Sequence, residues 1–251
     1  VKLLRRTKRS VELTPAGQIF QIEGRQILEH IENTFAHARD VSDGMMGSMK
    51  IGFNSYAGNI LINDFQEFGS RYHSIKLHFI SYSPSALLDH LKSGELDLIF
   101  SPVFDPSVYD GCDMQAVEQI SLMVILPSTH PLAGKHYLTK MDLVNENIIL
   151  ACTPESKIGE DRMIIDSFLS SGLHMNIIDK IEDVETILLM VNVNMGISSL
   201  PSYIALPDSN GRRIVAIPYE PDVRVDYCAI SMKGNGNAAL KRMKQFLQER
   251  S

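Results

Sequence analysis

Cysteine is scarce. The 251 residues contain only Cys112, Cys152 and Cys228, with no close spacing and no paired His. Neither a disulfide framework nor a structural zinc site is expected from such a set. A sparse, odd number of thiols suits a reducing cytoplasm, and isolated cysteines act more often as small buried hydrophobes than as redox sensors. Long apolar runs are missing as well. None reaches the ~18 residues of a membrane span, and the basic N-terminus leads into a polar helix rather than a signal core. The expectation is a cytoplasmic protein without membrane contact. There are no internal repeats and no low-complexity segments. The G-x-S-x-G, P-loop and G-x-G-x-x-G motifs are absent. His130 and His136 flank a Pro-Leu-Ala-Gly turn, but no carboxylate or cysteine completes a metal set at nearby spacing. No catalytic residue, metal or cofactor is therefore expected. Positive charge is also short: 24 Lys and Arg stand against 30 Asp and Glu, a net charge of −6. A chain of this balance does not bind nucleic acid over most of its surface. Its length allows one large domain or two small ones, with a core that needs no staples.

What is present is strand–helix alternation, clearest between Ser48 and Pro102. Ile51 and Phe53 begin a strand, and Ile60, Leu61, Phe65 and Phe68 recur at helical spacing. Ile75 to Ile80 alternates as a strand. Ser83-Pro84 opens a second helix, with Ser83 the expected N-cap, and Leu96 to Phe100 forms a third strand. Such alternation implies a parallel sheet whose ligands bind beyond the strand ends, where Ser55, Ser83 and Ser101 fall. A polar loop containing Asp105-Pro106 and Asp110-Gly111 follows. Ser121 to Leu126 is so continuously apolar that a buried parallel strand is expected. A second strand–helix set runs on from about residue 122. The last strand and helix, after residue 224, are expected to return to the first lobe.

The N-terminal end differs. Val1 to Leu4 and Ser10 to Leu13 form a wing-like hairpin around a basic turn, and Arg5, Arg6, Lys8 and Arg9 are candidate contacts to DNA phosphates, the other reading of these charges being a solvated basic tail. Thr14-Pro15 then starts a helix uninterrupted by proline for 28 residues. Phe20, Ile27, Ile31, Phe35 and Ala38 form an apolar stripe on it. Either this stripe packs on its own domain or it pairs with a second copy; length and isolation favour the second.

Four short pieces, in order, carry a resemblance. Val1-Lys2-Leu3-Leu4-Arg5-Arg6-Thr7 with Leu13-Thr14-Pro15-Ala16-Gly17, Gly94-Glu95-Leu96-Asp97-Leu98, His130-Pro131-Leu132-Ala133, and Met195-Gly196-Ile197-Ser198-Ser199-Leu200-Pro201 resemble segments of the LysR-type bacterial transcriptional regulators. The resemblance covers the whole chain and lacks most of the helix-turn-helix. It implies an α/β, two-lobed, periplasmic-binding-protein-like effector domain behind a long linker helix and a winged-helix remnant. The expected division is 1–13 wing, 14–47 linker and hinge, and 48–251 effector domain, with lobe I at 48–121 and 225–251 and lobe II at 122–224. It also implies a homodimer or homotetramer, promoter DNA as partner of the full-length protein, and a small organic acid or aromatic effector. The effector contacts it implies are Asn54, Ser55, Tyr56, Ser83, Ser101, Pro102, Thr153, Pro154, Met195 and Gly196. Val1 is no initiator Met, so the chain reads as a fragment, and without a recognition helix it is not expected to read a DNA sequence. The competing reading is a solute-binding protein of a transport system with the same fold.

Overall fold

The computed structural model describes residues 1–6, 11–42, 47–54, 57–153, 155, 157–204, 213–220 and 223–250. Lys8, Arg9, Ser55, Tyr56, Pro154 and the side chain of Ala38 lie outside the described residues.

Strands β1 (Leu4–Arg6) and β2 (Val11–Leu13) pair antiparallel, Leu4 opposite Leu13. They are strapped to the start of helix α1 (Pro15–Ser42). Thr14 donates its amide to the Leu3 carbonyl at 3.0 Å and its hydroxyl to the Lys2 carbonyl at 2.7 Å. The same hydroxyl caps α1 by accepting from the Gly17 amide at 3.0 Å, as a Thr before Pro should. A Cβ on Gly17 would fall 2.0 Å from the Leu3 carbonyl oxygen, so only glycine lets wing and helix approach this closely.

Lobe I follows the alternation read from the sequence: β3 (Ser48–Phe53), α2 (Gly58–Arg71), β4 (Lys76–Ser81), α3 (Pro84–Lys92) and β5 (Leu98–Pro102). β3 lies between β4 and β5 and is parallel to both. Gly94, at φ +77°, makes the turn that takes the chain from α3 towards β5.

The next strand departs from expectation. β6 runs from Cys112 to Pro127 without interruption. Its first half falls where the sequence suggests a polar loop, because one face of this half is largely solvated and its side chains alternate. Its second half is not parallel. It pairs antiparallel with β10 (Ser198–Pro201) and β11 (Ile214–Glu220), Ile125 lying opposite both Ser198 and Ala216. The apolar run at 122–126 reflects burial on both faces, not strand direction. Ile125 belongs to the core that contains Ile187 and Leu188, whereas Val124 and Leu126 pack with Phe168 and Tyr219.

Lobe II adds β7 (Leu138–Thr139), α4 (Lys140–Leu143), β8 (Asn147–Ala151), α5 (Glu160–Leu169), β9 (Asn176–Ile181) and α6 (Val184–Asn192). β8 and β9 pair in parallel, and Ile148 bridges to Ile197 beside β10. β12 (Arg224–Met232) then runs antiparallel along both β6 and β5, so the long sheet has the order β4-β3-β5-β12-β6-β11-β7. Two strands, β6 and β12, therefore carry the sheet from one lobe towards the other. α7 (Ala238–Arg250) packs on lobe I, the Phe246 ring edge-on to Phe68 at 5.4 Å.

The three cysteines are buried and free. Burial pushes their thiols up, Cys228 to about 11, which leaves them as unreactive hydrophobes.

Gly196 shows how closely lobe II is packed. The Ile197 amide bonds the Asn147 carbonyl and the Ile149 amide bonds the Ile197 carbonyl, each at 2.8 Å. A Cβ on Gly196 would lie 2.6 Å from that Asn147 oxygen, a backbone atom that cannot swing away. Gly196→Ala is expected to cost about 1–3 kcal/mol. In a thermal melt that lowers the midpoint by roughly 2–4 °C per kcal/mol; an unchanged midpoint would show that the strand relaxes freely.

Candidate functional site

The strand ends of both lobes face one another across a cleft of about 70 Å³. Asn54, just after β3, enters from lobe I. Its Oδ1 accepts from the Ala57 amide at 3.0 Å, which orients the side chain, and its Nδ2 donates to the Tyr203 hydroxyl of lobe II at 3.3 Å. Burial pushes the Tyr203 phenol up to about 12, with the Asn54 hydrogen bond acting the other way. That hydroxyl is therefore neutral at any physiological pH.

Pro102, the last residue of β5, also lines the cleft, but Ser101 does not. Adjacent residues on a strand point to opposite faces. Ser101 turns under the sheet, where it is buried and its Oγ lies 3.5 Å from the Tyr109 hydroxyl.

Ser83 stands at the N-cap position of α3 in extended backbone, yet its hydroxyl does not cap the helix. It lies at the rim, exposed, 3.2 Å from the Ser85 hydroxyl. The reason is a competitor from the other lobe. Ser85, in the first turn of α3, donates its amide (3.1 Å) and its hydroxyl (2.7 Å) to Oε1 of Glu182, which sits between β9 and α6. An N-cap normally accepts from the amide of this position. Here a carboxylate holds it, at the positive end of the helix dipole.

From lobe II, Thr153 and Glu160 line the cleft. The Thr153 amide donates to Glu160 Oε1. Glu160 Oε2 and the Thr153 hydroxyl are both buried and near one another, without hydrogen-bonding geometry and without another partner among the described residues. Burial pushes the Glu160 carboxyl above the usual carboxylate range, and the neighbouring Asp161 charge adds to this. The amides of Glu160 and Thr153 oppose the shift. Apolar walls come from Pro84, Phe104, Ile158, Val184 and Ile204, and the described lining contains no Lys or Arg. Met195 is exposed in the turn that follows α6, and Gly196 packs on β8; neither lines the cleft.

Of the residues named from sequence, the cleft thus brings together Asn54, Pro102 and Thr153 and leaves Ser83 at its edge. Glu182, Glu160, Tyr203 and Ser85 were not singled out. Glu182 was findable, since it follows β9 as Asn54 follows β3. Tyr203, in the turn after β10, and Glu160, at the start of α5, give no such signal, because the path of the chain leading to each depends on packing.

Among the described residues no group of three or more His, Cys, Asp or Glu could hold a metal ion. No helix among them is long and apolar enough to cross a membrane.

Residues 42–251 match the model of the LysR substrate binding domain. The HTH-type transcriptional regulator AlsR of Bacillus subtilis (strain 168) is 28% identical over 207 residues, 80% of this chain and 66% of AlsR. The Hca operon transcriptional activator HcaR of Escherichia coli (strain K12) is 27% identical over 100% of this chain and 83% of its own length. The chain thus spans about two thirds of AlsR and more of HcaR. Among solved structures, full-length CbnR complexed with its target DNA superposes with a TM-score of 0.77 at 20% identity, covering 100% of this chain and 85% of CbnR. The effector binding domain of QuiR in complex with shikimate gives 0.67 at 21%, covering 81% of this chain and 96% of that one. These relatives are regulators of transcription and not transport proteins, which decides between the two readings of the two-lobed fold. With five-sixths of its length inside the matched model, the chain belongs to the LysR substrate-binding-domain family, that of the LysR-type transcriptional regulators.

Proposed function

We propose that this chain is the sensing and coupling part of a promoter-binding regulator and not an enzyme. A small organic acid enters the cleft between the lobes, and its binding changes how paired linker helices present the DNA-reading heads. Arg5 and Arg6 on the exposed wing would touch phosphates, with Arg5 partly held by Glu12 at 3.6 Å. The observation that carries the reading is the Glu182 carboxylate at the N-terminus of α3. It is an anion from lobe II bound by lobe I, where helix amides and a hydroxyl favour negative charge. The carboxylate of an effector would take that position and release Glu182, which changes how the lobes are tied. The unpartnered Thr153 hydroxyl and Glu160 Oε2 would accept or donate to the effector's hydroxyl groups. The shikimate in QuiR is a carboxylate of this kind.

The test is calorimetric titration of a panel of small hydroxy-acids, shikimate included, into wild type and two variants. Glu182→Gln weakens the internal competitor and is expected to raise affinity about ten-fold. Ser85→Ala removes a hydrogen bond to a charged group and is expected to lower it about ten-fold or more. An acid whose affinity neither change alters would place the anion site elsewhere.

A further inference from the structure

The cleft carries negative charge supplied by the protein itself. Glu160 and Glu182 both line it, and the described lining holds no Lys or Arg. Both stand at the amino ends of lobe II helices, Glu160 as the first residue of α5 and Glu182 just before the Asp183 cap of α6. The Cys152 thiol, just after β8, feels the charge of both, so the two carboxylates share one neighbourhood. Two lysines whose charge reaches this neighbourhood are already paired, Lys180 with Asp161 at 3.1 Å and Lys157 with Asp89 at 2.9 Å. The two carboxylates differ in how they are satisfied. Glu182 is held across the cleft by Ser85. Glu160 accepts from the Thr153 amide with one oxygen only. Its Oε2 and the Thr153 hydroxyl, on residues 7% and 2% exposed, have no hydrogen-bond partner among the described residues. Buried polar atoms in that state are costly and rare unless something satisfies them.

An effector that is only an acid makes the imbalance worse. Its carboxylate takes the α3 amides from Glu182 and adds a further negative charge where two already stand without a cation. A hydroxyl on the effector satisfies the open oxygens but leaves that charge uncompensated. An ammonium group has three donors and a positive charge, so it satisfies the oxygens and offsets one carboxylate.

We infer that the effector of this cleft is a small amino acid, its carboxylate on the first turn of α3 in place of Glu182 and its ammonium group against Glu160 Oε2 and the Thr153 hydroxyl. The inference rests on the reading of the cleft as an effector site for an acid and narrows the class of acid it takes. Phe104, Ile158 and Ile204 offer an apolar wall to the side chain.

The test is calorimetric titration of the 251-residue chain with matched pairs that differ only in an amino or a hydroxyl group. These are L-alanine and L-lactate, L-leucine and L-leucate, and γ-aminobutyrate and γ-hydroxybutyrate. In at least one pair the amino member is expected to bind about ten-fold or more tightly than its counterpart, as a hydrogen bond between charged groups allows. Glu160→Gln keeps the size of the side chain and an acceptor for the Thr153 amide but removes the charge. It should bring that ratio close to one and leave the affinity of the hydroxy-acid nearly as it was, with a melting midpoint at or above wild type showing that the lobe is intact. If hydroxy-acids bind and Ser85→Ala weakens them, while no amino member binds better, the inference is overturned and the anion site stands. It is equally overturned if the preference for the amino member survives Glu160→Gln, or if no member of any pair binds; in that last case the effect of Ser85→Ala on the wider acid panel decides the anion site separately.

Discussion

A chain carrying Ile27→Glu and Phe35→Glu is expected to scatter light as a single 28.1 kDa molecule at micromolar concentrations where the unaltered chain is a dimer or larger. The reason lies in what α1 does with its faces. Its 28 residues span about 42 Å at 1.5 Å per residue, and a helix of that length leaves most of its surface far from its own lobe. One face does touch lobe I. Asn33 accepts from the Lys50 ammonium at 2.7 Å, and His30 lies so close to Gly94 that a Cβ there would be 3.2 Å from its ring. The stripe falls on a different face. Phe20, Ile27 and Phe35 are 60% or more exposed and Ile31 is 44% exposed. Four large apolar side chains in one row along a helix form a patch of the kind that marks an interaction site. Each contributes about 1.5–3 kcal/mol when buried against a copy of itself. Two glutamates in each helix remove part of that burial and set like charges against one another across the interface. Because the stripe makes no contact that holds the lobes, circular dichroism should show the fold retained. A wild-type chain that is monomeric at the same concentration would refute the pairing.

Glu160→Gln is expected to stabilise the protein at neutral pH and to have little effect in acid. Burial raises the folded-state pKa of Glu160 above its unfolded value of about 4.3. The folded state then binds more protons than the unfolded state between those two values, so stability falls as pH rises through the folded pKa. The favourable contribution is fully present below about 4.3 and is lost above the raised value. Glutamine keeps an oxygen to accept from the Thr153 amide and carries no charge to desolvate. An unsatisfied buried group costs about 1–3 kcal/mol, so the melting midpoint at pH 7 should rise by roughly 2–12 °C. Melts of the two proteins from pH 4 to pH 8 decide the matter. The midpoints should converge towards pH 4 and separate as pH rises; a constant gap, or a less stable variant at pH 7, would mean that Glu160 is stabilised as a carboxylate by something in the cleft.

Local pattern alone determined most of the elements. The period of apolar residues and the Thr-Pro and Ser-Pro starts placed α1 and lobe I's strands and helices within a residue or two of where they lie, because each depends on neighbours a few positions away. Tertiary structure decided three other things. The direction of Ser121–Leu126 was one: an apolar run reports burial on two faces, and antiparallel pairing with β10 and β11 satisfies that as well as parallel pairing would. The second was which side chain of a strand end enters the cleft, since a shift of one residue turns Ser101 under the sheet and puts Pro102 in the opening. The third was the occupant of the α3 N-terminus. A sequence shows Ser83 immediately before a helix start and cannot show that Glu182, 97 residues beyond Ser85, arrives from the other lobe to take the amide first. Helix and strand propensity act over one or two turns of chain, whereas the electrostatics of this cleft is set by which ends the folded sheet brings face to face.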